Sequence, residues 1–113
     1  MIYLASPYSH PNSYIELERA VLAIRAAARL HYEGKLAFSP IAYGHTLAQV
    51  GLPIGTDADS WLKWNTQMFS MCTELYVLKL EGWDRSTGVA MELAWAEKSG
   101  KPISTLEADY ADF

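Results

Sequence analysis

Leu75-Tyr76-Val77-Leu78, a turn from Glu81 to Arg85, the run Ser86-Thr87-Gly88-Val89 on to Ser99, then Gly100 and Pro102-Ile103-Ser104, form the stretch that decides the fold. Four apolar residues bounded by turn signals read as a buried strand. Ser86 or Thr87 caps the helix that follows, and Gly100 ends it. Pro102-Ile103-Ser104 is the next strand. Working outward, the same alternation recurs. Ile2-Tyr3-Leu4-Ala5 is a first strand closed by Ser6-Pro7. Ser13-Tyr14-Ile15-Glu16 has capping-box spacing and opens a helix to about Tyr32, with Gly34 as its stop. Leu17, Val21, Ile24 and Ala28 recur on one side of that helix. Leu36-Ala37-Phe38 is the second strand, closed by Ser39-Pro40. Tyr43 to Val50 suits one or two helical turns, residues 51–55 a loop, and Asp57 or Asp59 the cap of a helix from about Ser60 to Cys72. The tail from Glu107 reads as acidic and unanchored.

Strands alternating with amphipathic helices predict an α/β fold. The expected architecture is a flavodoxin-like or Rossmann-like three-layer sandwich. Its sheet is mainly parallel, with four to five strands. Residues 1–113 are expected to form one domain, since the length suits a single core and half of the residues are hydrophobic. In such a sheet ligands bind beyond the carboxyl ends of the strands, where strand order reverses. That nominates Ser6–Ser9, Ser39–His45 and Gly82–Glu92.

Composition narrows the partners. Nine Lys and Arg stand against thirteen Asp and Glu, a formal charge of −4 without a basic cluster. This excludes the electrostatic footprint of a duplex nucleic-acid binder, though not a small nucleotide. The lone Cys72, in an apolar run, reads as a buried thiol in a reducing compartment. No stretch approaches the roughly 20 apolar residues of a membrane span, and the first residues lack a signal-peptide core. A cytoplasmic protein without a membrane partner is expected.

Several positions carry chemical interest. Ser86, Thr87 and Gly88 open a helix directly after a strand and loop, where free N–H groups and the dipole favour an anion. Gly88 would let a ligand approach the backbone. Glu92 shares the inward face of that helix with Val89 and Ala96, and its side chain leans back toward the helix start. A carboxylate there is costly unless a cavity, a backbone group or an arginine meets it. Asn65 falls on the stripe of Trp61, Met68 and Cys72. It either ties two segments together, which its spacing favours, or faces a ligand. His45 reads as a surface or capping residue. No second His or Cys stands at metal-ligand spacing, so neither a metal nor another cofactor is expected. Tyr8 and Tyr43 follow strand ends and suit stacking on a base or sugar. G-x-G-x-x-G, Walker A and G-x-S-x-G motifs are absent.

Tyr3-Leu4-Ala5-Ser6-Pro7-Tyr8-Ser9, Phe38-Ser39-Pro40-Ile41 with His45, the strand Leu75–Leu80, Gly82-Trp83 and Ser86-Thr87-Gly88-Val89-Ala90-Met91-Glu92 together resemble the nucleoside 2-deoxyribosyltransferase superfamily. The likeness is strongest to its small bacterial and phage branch, classed as a domain of unknown function. It runs from Met1 to about Ile103. The superfamily exchanges bases or cleaves the N-glycosidic bond of deoxynucleoside monophosphates. The resemblance implies that Glu92 is a carboxylate nucleophile forming a glycosyl-enzyme. It implies that Ser86 and Gly88 hold a 5′-phosphate, and that Ser6 and Tyr8 line the sugar and base pocket. Asn65 matches a position where those enzymes carry Asp, and an amide neither protonates a base nor acts as one. Asp57 or Asp59 would have to substitute.

The function expected is cleavage or base exchange at an N-glycosidic bond of a nucleoside or its 5′-monophosphate. The alternative is a non-catalytic nucleotide-binding module on the same fold. A flavodoxin-like electron carrier is disfavoured, because no Ser/Thr/Gly-rich phosphate loop follows the first strand. The resemblance also implies assembly. A homodimer or higher homo-oligomer is expected, with the helix from Ser60 near the contact and Trp61, Trp64 and Trp83 as its apolar material.

Overall fold

A computed structural model of the chain describes residues 1–112; Phe113 lies outside the described residues. Four parallel strands form one sheet: β1 (Ile2–Ala5), β2 (Ala37–Phe38), β3 (Glu74–Lys79) and β4 (Ile103–Glu107). Their order across the sheet is β2-β1-β3-β4. The chain winds outward from β1 to β2, then returns past β1 to β3 and on to β4. Strand order therefore reverses between β1 and β3.

Helices cover both faces. Helix α1 (Ser13–Tyr32) lies on one, where Ala26 and Leu30 pack with Leu4, Leu78 and Leu80. Helices α3 (Ala58–Met71) and α4 (Thr87–Ser99) lie on the other, where Phe69, Val89 and Ala96 pack with Tyr3, Ala5, Leu75 and Val77. The two residue sets alternate along β1 and β3, as the pleat requires. All four residues of β1 are buried, as befits a strand covered on both faces. Helix α2 (Pro40–Ala48) sits at the carboxyl end of the sheet against α1 and β1. Among the described residues no helix is long and apolar enough to cross a membrane.

Several local expectations are corrected. The inward face of α1 is Ala20, Ala23, Ala26 and Leu30; Leu17, Val21 and Ile24 are 40–49 % exposed, and Ala28 is exposed too. The helix carries two apolar stripes. The one built of small side chains wins, because alanines let the helix axis approach the sheet closely. The expected capping box does not form. Asn12 is the N-cap, its side chain accepting from Tyr14 N, and Glu16 accepts from His10 N at 3.1 Å. Helix α2 begins at Pro40 rather than near Tyr43, because Ser39 caps it by accepting from Ala42 N and Pro40 presets the first turn. Asp57 caps α3. The tail is anchored: residues 108–111 form a 3₁₀ turn with Ala111 buried. Arg25 donates to Ala111 O, Arg29 donates to Tyr110 O, and the Arg29 guanidinium lies 4.2 Å from the Tyr110 ring centre.

The two faces of α1 make a direct test. Leu30→Ala is expected to cost about 2–4 kcal/mol of stability, as a fully buried truncation does, whereas Ile24→Ala costs under about 1 kcal/mol. Urea denaturation of both variants checks the assignment.

Candidate functional site

At the carboxyl end of the sheet, where β1 and β3 part, a cleft of about 670 Å³ opens. Its size suits a small organic ligand. Ser6, Tyr8, His45, Asn65, Ser86, Gly88 and Glu92 all border it. They come from four segments: the loop after β1, helices α2 and α3, and the cap and first two turns of α4.

Glu92 is the central group. It is 7 % exposed, on the inner face of α4 with Val89 and Ala96. Among the described residues, no arginine and no backbone group hydrogen-bonds it, so neither of the partners that would make it a structural carboxylate is found there. Burial pushes its carboxyl up to about 7. The buried Tyr3 hydroxyl faces it and opposes that rise, without a hydrogen bond of ordinary geometry. Burial and the Glu92 charge together push the Tyr3 phenol far up, so it stays protonated. Ser6 Oγ and Asn65 Oδ1 are likewise buried without a hydrogen-bond partner. Since buried polar atoms in folded proteins are nearly always paired, with protein groups or with water, these two oxygens are available to whatever fills the cleft, solvent or ligand. The unpaired Asn65 carbonyl does not tie two segments together.

Helix α4 supplies the other end. Ser86 caps it, its Oγ accepting from Val89 N at 3.2 Å, which leaves the Thr87 and Gly88 amides at the helix start without intrahelical partners. A Cβ on Gly88 would meet nothing nearer than Ser86 Oγ at 3.9 Å, so the cleft side of this residue is open.

Arg19, on α1, holds the mouth together. Its Nη1 donates to Ser9 O at 2.9 Å and Tyr8 O at 3.4 Å, and its Nη2 donates to Glu81 O at 2.9 Å. The loops after β1 and β3 are thereby joined. Gly82, in the left-handed region at φ 90°, allows this approach; a Cβ there would lie 2.7 Å from Arg19 Nη2. On the opposite side, Tyr8 Oη and His45 Nδ1 are hydrogen-bonded at 3.1 Å, with the rings edge to face.

Sequence reasoning missed three of these features. Tyr3 passed as core; its one signal was a hydroxyl in an otherwise aliphatic strand. Arg19 looked like a solvated helix residue. The Tyr8–His45 pair joins residues 37 positions apart, which only the adjacency of β1 and β2 brings together. Asp57, considered as a proton donor, is engaged otherwise. Its carboxylate accepts from Ser60 Oγ at 2.6 Å and Ser60 N at 3.2 Å, and these bonds hold it below the usual carboxylate range. Of the tryptophans expected at a contact, Trp64 is exposed and stacks on Tyr43, while Trp61 and Trp83 are half-buried.

The buried carboxyl makes stability depend on pH. The folded state binds the Glu92 proton more tightly than the unfolded chain, whose carboxyl titrates near 4.5. Stability contributed by the bound proton is complete below about pH 4.5 and is lost as pH rises to about 7. Glu92→Gln abolishes this titration. Relative to the native protein, the variant is expected to gain roughly 2–4 kcal/mol between pH 4.5 and 8. Thermal unfolding across that range measures the gain; a constant difference would show that the carboxyl is not desolvated.

No curated protein matches the chain. A family model described as a domain of unknown function, DUF1937, matches residues 1–108. With that match spanning nearly its whole length, the chain belongs to the DUF1937 family.

Proposed function

We propose that the protein cleaves or exchanges the N-glycosidic bond of a nucleoside or its 5′-monophosphate, with Glu92 as nucleophile. The observation that supports this best is a buried carboxyl facing a cleft with no partner to neutralise it. Cleaving such a bond develops positive charge at the anomeric carbon, and a carboxylate beneath that carbon stabilises or captures it. Desolvation makes Glu92 a strong nucleophile once ionised. The protonated Tyr3 hydroxyl beside it favours the carboxylate form. An anion at the Thr87 and Gly88 amides would lie about one helical turn, roughly 5 Å, from Glu92 along the α4 axis. That spacing suits a sugar phosphate, with the phosphate at the helix start and the anomeric carbon over the carboxylate. The resemblance of residues 1–103 to nucleoside 2-deoxyribosyltransferases supports the same assignment.

A second reading, a nucleotide-binding module without turnover, draws on the resemblance: Asn65 matches a position where those enzymes carry Asp, and an amide has no acidic proton to donate. Incubation with ribo- and deoxynucleosides and their monophosphates, with chromatography for free base, separates the two. Base release that falls at least about 1,000-fold in Glu92→Gln is expected. Tight binding of monophosphates with no base released over hours would favour the binding module.

The anion end has its own test. A 5′-monophosphate is expected to bind more tightly than its nucleoside. Gly88→Ala should narrow that gap while leaving the fold as stable as before or slightly more so, because alanine favours a helix over glycine and its Cβ meets open space. Calorimetric titration with both ligands checks this.

Assembly follows from the same reading. A homodimer that covers Trp64 and Tyr43 is expected, and Trp64→Glu should shift it to monomer in light scattering.

A further inference from the structure

An N-glycosidic base leaves as a poor anion unless a proton reaches it, and the groups that border the cleft leave few sources for that proton. Glu92 is committed beneath the anomeric carbon. Asn65 has no acidic proton. Asp57 is held ionised by its bonds to Ser60. Glu18 and Glu81 are exposed at the rim on the side of α1. His10, at the rim beside the start of α1, has its Nδ1 engaged as the acceptor of Asn12 N at 2.9 Å. The remaining pair is Tyr8 Oη and His45 Nδ1, 3.1 Å apart and half-buried. Resting on the glycosidic reading of the cleft, we propose that Tyr8 and His45 together form the acid that protonates the departing base.

Topology places the pair correctly. The proposed anion end lies at the start of α4, after β3. Tyr8 follows β1, and His45 stands in α2, after β2. The pair thus lies across the cleft from the phosphate, at the end where the base would project. Both residues are held from behind. Arg19 fixes the backbone carbonyl of Tyr8, and the Ser39 cap fixes the start of α2. Burial and the charge of Glu16 push the Tyr8 phenol up, so it carries its proton at neutral pH.

The hydrogen bond itself supplies the switch. With neutral His45, the Tyr8 hydroxyl can donate to Nδ1 and its proton is turned away from the cleft. With imidazolium, Nδ1–H donates to Tyr8 Oη, and the phenolic proton is free to point at the base. In the first step the C–N bond breaks and its electron pair leaves with the base. The Glu92 carboxylate forms a bond to the anomeric carbon. The base takes the Tyr8 proton, and the phenolate recovers one from His45 Nδ1. In the second step water attacks the anomeric carbon, and the bond to Glu92 breaks to return the carboxylate. The water proton passes through Tyr8 to neutral His45, restoring the imidazolium.

The test compares two leaving groups on one sugar phosphate. Guanosine 5′-monophosphate, or its 2′-deoxy form if only that series turns over, is set beside its N7-methyl derivative. The methylated base leaves neutral and needs no proton. Base release in the first turnover, which precedes the water step, is the readout. Tyr8→Phe and His45→Gln are expected to slow it on the unmethylated substrate at least about 100-fold, the usual contribution of a general acid. First-turnover release of the N7-methyl base should fall at least about 10-fold less, and circular dichroism checks that the variants fold. Equal losses on both substrates would assign the pair to structure and overturn the proposal. So would a native protein that releases only the methylated base, since it would contain no effective acid. Release from neither substrate, with Glu92→Gln indistinguishable from the native protein, would remove the glycosidic reading and this proposal with it.

Discussion

A carboxyl group held out of water is the constraint around which the rest of the molecule is arranged. Glu92 sits on the inner face of α4, where its neighbours Val89 and Ala96 pack into the apolar layer against β1 and β3. The helix cannot rotate Glu92 into solvent without exposing those neighbours. The apolar layer therefore holds the carboxyl in place at a cost that the charge alone would not accept. Tyr3 is set into the same layer from β1, between Phe38 and Phe69, with its hydroxyl turned to the carboxyl. The unpaired Ser6 and Asn65 oxygens border the space in front of it.

That space depends on one arginine. Arg19 reaches from α1 across the top of the sheet and spends its donors on backbone carbonyls of two loops. Carbonyls carry no full charge, so the clamp leaves the guanidinium charge uncompensated by a carboxylate. The exposed Arg85 borders the same mouth, paired with Asp84 at 3.8 Å, and Glu18, Glu81 and Asp57 border it too. The mouth thus carries charges of both signs, with the α4 N-terminus as a local positive end.

The fold was legible because its signals are local. Apolar runs bounded by Ser-Pro or Gly marked the strands, and the inward position of Glu92 followed from its spacing to Val89 and Ala96. The stripe of Trp61, Asn65, Met68 and Cys72 also faces inward. Failures arose where two local signals competed. On α1, large aliphatics and alanines both recur at helical spacing, and only proximity to the sheet selects the alanines. At Ser13 and Asn12, both residues can cap, and His10 captured the glutamate that would have completed the box at Ser13. The tail was misread because its anchors, Arg25 and Arg29, lie about 80 residues earlier. At the cleft, the inward addresses of Glu92 and Asn65 were legible from helical spacing, but pairs that depend on strand adjacency were not.

The central position of β1 has a consequence for how the chain reaches this state. Ile2 pairs with Ala37 on one side and with Glu74 on the other, so neither neighbour is local. During synthesis β1, α1 and β2 can associate first, because the crossover between the two strands is a single helix. The other edge of β1 then stays open until β3 has emerged. Closing so long a loop costs little more than closing a short one, about 0.6 kcal/mol for each doubling of length, but it delays the pairing. For that interval an apolar strand with free N–H and C=O groups is a template for intermolecular pairing. Substitutions that slow the docking of β3 would reduce yield through aggregation before they registered as lost stability in the folded protein.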